Sequence, residues 1–126
     1  RILAARDALI DEGATILAPC PHHAACPLVA PDWCHFAIRL ARSRDHRLVK
    51  AADVPFEDEK FAYLLAARPQ LAAAPRTPRV LARPRAGKPG IELKLCAEAG
   101  LEHRFVPRRD RPAHAVARRL DWGDSL

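Results

Sequence analysis

Methionine is absent from this chain, aromatic residues make up only 6% of it, and lysine occurs only at Lys50, Lys60, Lys88 and Lys94. No run approaches the roughly 20 apolar residues of a membrane span, and Arg1 to Leu17 lacks the ordered regions of a signal peptide. Those two absences suit a soluble intracellular protein. No G-x-G loop occurs either, so the usual glycine-rich cradle for a nucleotide-like cofactor is missing. No two cysteines stand two to four residues apart, the spacing by which a short knuckle presents two sulfurs to one zinc ion. The lack of methionine, with an amphipathic helix already under way at Arg1, reads as the C-terminal piece of a longer protein.

What is present is positive charge carried by arginine. The 126 residues are 49% hydrophobic, enough for a modest core, and carry a formal charge of +6. Arginine makes planar, bidentate contacts with phosphate, which makes nucleic acid a natural partner; a GC-rich genome would also enrich Ala, Arg and Pro. The cations fall into three groups: Arg39, Arg42, Arg44 and Arg47; Arg83, Arg85 and Lys88; and Arg104, Arg108, Arg109, Arg111, Arg118 and Arg119. Arg39, Arg42, Arg47, Arg108 and Arg109 are the candidates for RNA contact, with solvated faces as the plainer alternative. With few rings for stacking, phosphate and shape recognition would outweigh base reading.

Along the chain, Ile2, Leu3, Leu9 and Ile10 share one helical face and Gly13 supplies a stop. A buried strand over Ala14–Ala18 follows, and the helix-then-strand order predicts an α/β sheet. Pro19 to Trp33 holds too many prolines for a helix or an inner strand. His35 to Arg47 shows helical periodicity, with Phe36, Ala37, Leu40 and Ala41 on one side and Arg39, Arg42 and His46 on the other. Phe56 to Arg68 alternates as one strand. Residues 69–78, with Pro69, Pro75 and Pro78, read as a linker. Strands over Arg79–Arg83, Ile91–Cys96 and Leu101–Val106 predict a small antiparallel meander, and Pro112–Leu120 a final basic helix. The expected domains are therefore 1–68 with its cysteine loop at 19–34, and 79–126.

Cys20, Cys26 and Cys34 lie on the proline-rich loop, and Cys96 arrives from a distant strand. In a reducing compartment four cysteines are better read as metal ligands than as disulfides. Such a centre would staple two parts of the chain together. Thiolates bind zinc and iron-sulfur clusters alike, so the ligand set does not choose between them; the wide spacing leans toward the bulkier cluster. Cysteine as a small buried hydrophobe is the alternative. His22, His23 and His35 beside the cysteines suit surface or supporting positions better than ligation. Glu57, Asp58 and Glu59 are better read as charge at the start of a strand than as an acid/base group. The tail around Trp122 reads as an indole docked in a groove.

The run Ala18-Pro19-Cys20-Pro21-His22, then Cys26-Pro27-Leu28 and Asp32-Trp33-Cys34-His35-Phe36, resembles the mitochondrial small-ribosomal-subunit methyltransferase-like proteins and their bacterial relatives. Phe56-Glu57-Asp58-Glu59-Lys60-Phe61-Ala62-Tyr63 and Asp121-Trp122-Gly123-Asp124 are similar to that family's later motifs. The resemblance implies a 4Fe-4S cluster on Cys20, Cys26, Cys34 and Cys96. It also implies the end of a class I methyltransferase-like fold, formed by residues 1–18 and 57–68 with the cysteine loop inserted, then the meander and terminal helix. It implies assembly of the small ribosomal subunit with contact to its rRNA, in a bacterial cytoplasm or a mitochondrial matrix. S-adenosylmethionine binding belongs to the earlier half of such a fold, so no catalytic or cofactor-binding residue is assigned. An active rRNA methyltransferase completed by that half, and a zinc-stabilised nucleic-acid-binding module, are the alternative functions.

Overall fold

The structure is a computed structural model describing residues 2–68 and 76–126. Helix α1 (Ile2–Asp11) ends where the sequence places a stop: Gly13 takes φ 79°, and the amide of Ala14 turns back to the Leu9 carbonyl at 2.8 Å. The chain then enters strand β1 (Thr15–Ala18). Both elements agree with the sequence reading. Among the described residues, no helix is long and apolar enough to cross a membrane.

The next stretch corrects it. Instead of a helix over His35–Arg47, the chain forms strand β2 (Phe36–Ala41) and a short helix α2 (Arg44–Val49), then strand β3 (Phe56–Phe61). β2 and β3 pair antiparallel from Phe36 opposite Phe61 to Ala41 opposite Phe56. The reason is non-local. Acidic β3 lies against β2 and the residue that follows it, so Arg39 forks onto Asp58 at 2.7 and 2.9 Å and Arg42, just past β2, reaches one Glu57 oxygen at 3.2 and 3.0 Å. Ser43 caps α2, its hydroxyl accepting from the His46 amide.

The single strand expected over Phe56–Arg68 is two strands. β3 stops at Phe61, and strand β4 (Leu65–Ala67) joins a different sheet, pairing antiparallel with β1. The cysteine loop and the β2–β3 hairpin thus form one excursion between two neighbouring strands. Most of the expected linker, residues 69–75, lies outside the described residues.

The meander is present, with one addition. Strands β5 (Arg79–Val80) and β6 (Arg85–Ala86) both pair with the same side of β7 (Gly90–Ala97), and β8 (Gly100–Pro107) pairs with β7's other side. The expected strand Arg79–Arg83 is therefore shorter than read; the edge lapses before Pro84, which has no amide to donate, and resumes at Arg85. Along β7 the two-residue period is strict: Ile91, Leu93 and Leu95 are buried on one face, while Glu92, Lys94 and Cys96 take the other. The first three join Val80, Val106 and Ala117 in the core. Leu95 and Val80 are fully buried, each worth about 1.5–3 kcal/mol of transfer free energy.

Helix α3 (Arg111–Ala117) is capped by Asp110 and lays Ala113 and Ala117, one turn apart, on that core. The final residues return to β5: the Val80 amide donates to the Asp124 carbonyl and the Gly123 amide to the Val80 carbonyl, both at 2.9 Å.

Candidate metal centre

The topology brings the four cysteines to one place. Cys20 follows β1, Cys26 lies mid-loop, Cys34 precedes β2, and Cys96 stands on the outer face of β7. All four line a single narrow cleft, whose remaining wall is largely apolar and includes Leu28, Phe36, Tyr63 and Leu81. Among the described residues, no three His, Cys, Asp or Glu side chains close together as ligands of one metal ion.

The loop between β1 and β2 has almost no regular structure, so side chains must hold it. Arg6, buried at 2% exposure, donates from one guanidinium nitrogen to the carbonyls of His22 and Ala24, at 2.9 and 2.7 Å. Arg79 reaches the carbonyls of Pro19 and Gly123. His23 accepts from the Ile16 amide at 3.1 Å, and Asp32 pairs with Lys94 of β7. Trp33 stacks on His35, whose edge meets Trp122 at 4.9 Å between ring centres, so the tail indole is docked there.

His22 connects loop and sheet. It is buried, its Nδ1 is 3.2 Å from the Ala24 carbonyl, and its Nε2 is 3.4 Å from Cys96 Sγ. Burial holds its basicity below the ordinary histidine range, against the opposing effect of the Ala24 carbonyl.

The thiols are electrostatically linked. Burial, reinforced by charge on Cys20 and Cys26, pushes the Cys34 thiol up to about 11. Burial and the other three cysteines push Cys96 up to about 12, with Arg6 pulling the other way. At neutral pH these two sulfurs keep their protons unless a cation joins them. A bound metal group supplies that positive charge and displaces the protons. The donor set therefore fits a thiolate-ligated metal group, with Arg6 and Arg79 beside it to offset excess negative charge.

The arginine candidates separate by surroundings. Arg39 and Arg42 are engaged with Asp58 and Glu57, which accounts for the acidic run of β3 as an ion-paired strand. Arg47 turns onto the carbonyls of Ala52 and Asp53. Arg108 and Arg109 are exposed, with no ion-pair partner among the described residues. Arg6 was not legible as a support of the loop, yet a signal was there: it sits in the middle of the stripe formed by Ile2, Leu3, Leu9 and Ile10. An arginine on an apolar face needs buried acceptors.

Over 118 residues, 88% of its length, the chain is 30% identical to the human protein named "Ribosome assembly protein METTL17, mitochondrial", of whose length it spans 24%. The family model described as "Mitochondrial small ribosomal subunit Rsm22" matches residues 1–126, so the chain belongs to the Rsm22 family.

Proposed function

We propose that this chain is the metal-binding portion of a methyltransferase-like assembly factor for the small ribosomal subunit, acting by binding RNA and not by turnover. Cys20, Cys26, Cys34 and Cys96 would hold a 4Fe-4S cluster that fixes the loop against β7 and so orders a basic surface toward rRNA. The observation that carries the reading is the convergence of four cysteines, from loop and sheet, on one cleft in a member of this family. Cysteines spaced more widely than a zinc knuckle lean toward the bulkier cluster over a single zinc ion.

The class I methyltransferase-like fold belongs to the same reading. It is supported by α1 feeding β1 and by β4 returning antiparallel beside it, a two-stranded margin that a larger sheet would complete. The human relative's name places that protein in mitochondria and in ribosome assembly; carried to this chain, the partner is a small-subunit particle.

Two measurements test the proposal. Protein purified without air should be brown, with iron and acid-labile sulfide in equal amounts, and serine at any of the four cysteines should remove both. A colourless protein holding one zinc would overturn the cluster. Tagged protein in its native cell should sediment with small-subunit particles and cross-link to their RNA; sedimentation only as free protein would overturn the ribosomal role.

A further inference from the structure

Charge and shape single out one surface beside helix α3. Helix α3 turns Ala113 and Ala117 to the core. Arg111, His114 and Arg118, at spacings of three and four, share a face that flanks this core-facing one. They line an open groove with Arg108 and the buried Ile91, and Ala86, Gly87 and Ala115 are small residues at its border. No acidic side chain lines it. Among the described residues, none of the three arginines has an ion-pair partner. The basic hairpin is different, because Arg39 and Arg42 already meet carboxylates there.

We propose that the groove formed by Arg108, Arg111, His114 and Arg118 beside Ala86–Gly87 holds the sugar-phosphate backbone of RNA. The claim rests on the RNA-binding reading above and specifies its surface. Small border residues leave room for a strand to approach, and three free guanidiniums can each fork onto a phosphate. The groove has no aromatic lining, so recognition is by phosphate and shape, indifferent to base identity. Concavity and the lack of a large exposed apolar side chain inside it favour a nucleic-acid strand over an anionic bilayer.

The test is the salt dependence of binding by the full chain, purified without air, to oligouridylate and to an RNA hairpin of unrelated sequence. Arg111→Gln combined with Arg118→Gln should lower the slope of log affinity against log salt by about two on both RNAs. Arg108→Gln alone should lower it by about one, and Arg39→Gln should leave it unchanged. These side chains are exposed, so melting temperatures should hold. An unchanged slope in the folded double variant would overturn the groove while leaving RNA binding standing. A wild-type chain that binds neither RNA would sink both this inference and the RNA part of the proposed function. Binding to phosphatidylserine vesicles that equals binding to RNA, and is lost in the same variant, would overturn RNA as the occupant.

Discussion

His22 Nε2 stands 3.4 Å from the Sγ of Cys96, joining the three-cysteine loop to the strand that bears the fourth thiol. Because the Ala24 carbonyl can only accept, Nδ1 carries the ring proton and Nε2 of the neutral imidazole receives the thiol hydrogen. His22→Leu keeps a side chain of similar reach and removes the acceptor. It should lower the stability of the metal-free chain, in which Cys96 keeps its proton, by about 1 kcal/mol, measured as a shift in the urea midpoint.

Arg6 should matter more than its helix position implies. Arg6→Met keeps the stem and leaves the His22 and Ala24 carbonyls without their donor in a part-buried site. Loss of a hydrogen-bonded charge there costs about 2–3 kcal/mol. Limited proteolysis should find the variant's loop between β1 and β2 cut sooner than that of the wild type, while the β7–β8 pair resists equally.

Gly90 has no room for a side chain. A Cβ built on it would lie 2.3 Å from the Val106 carbonyl oxygen and 2.9 Å from Pro107 Cα, both backbone atoms that cannot step aside. Gly90→Ala should therefore destabilise the sheet by about 3 kcal/mol through overpacking, read as a lower melting temperature. A melting temperature equal to wild type would mean the strands are farther apart than described.

Acid should weaken the hairpin. Arg42 first, then His46 and Lys50, hold the Glu57 carboxyl below its ordinary value of 4.5. A depressed acid stabilises the folded chain at pH above its unfolded value and loses that contribution as pH falls through the folded one. The wild type should lose more thermal stability than Glu57→Gln between neutral pH and about pH 3. Equal losses would show that the pair is neutral to folding, as screened surface pairs often are.

The parts that were legible in the sequence carry local signals. Gly13 ends α1, and Ile91, Leu93 and Leu95 alternate before a turn at Glu98–Ala99, one residue ahead of the Ala99–Gly100 signal. Phe36 to Ala41 is ambiguous in sequence because Phe36 and Leu40 satisfy a helical spacing as well as a period of two. Its partner strand begins fifteen residues further on, and only that pairing decides. The same holds for the cleft. Residue type, spacing and the family resemblance nominated its four cysteines, and position beside them marked His22 as a surface or supporting residue, whereas Arg6 acts through burial created by the fold and had no mark beyond being an arginine on an apolar stripe.

Leu95 and Cys96 are neighbours on β7 that face opposite sides of the sheet, one fully buried in the core and the other lining the cleft. The fourth sulfur is therefore held in position by hydrophobic packing, as a gauge mark is held by the rigid bar on which it is scribed. Repacking Val80, Leu93 or Val106 would shift that mark with no ligand touched. Inheritance follows the same constraint: core and cleft must drift together, because a substitution harmless to folding can still misplace Cys96.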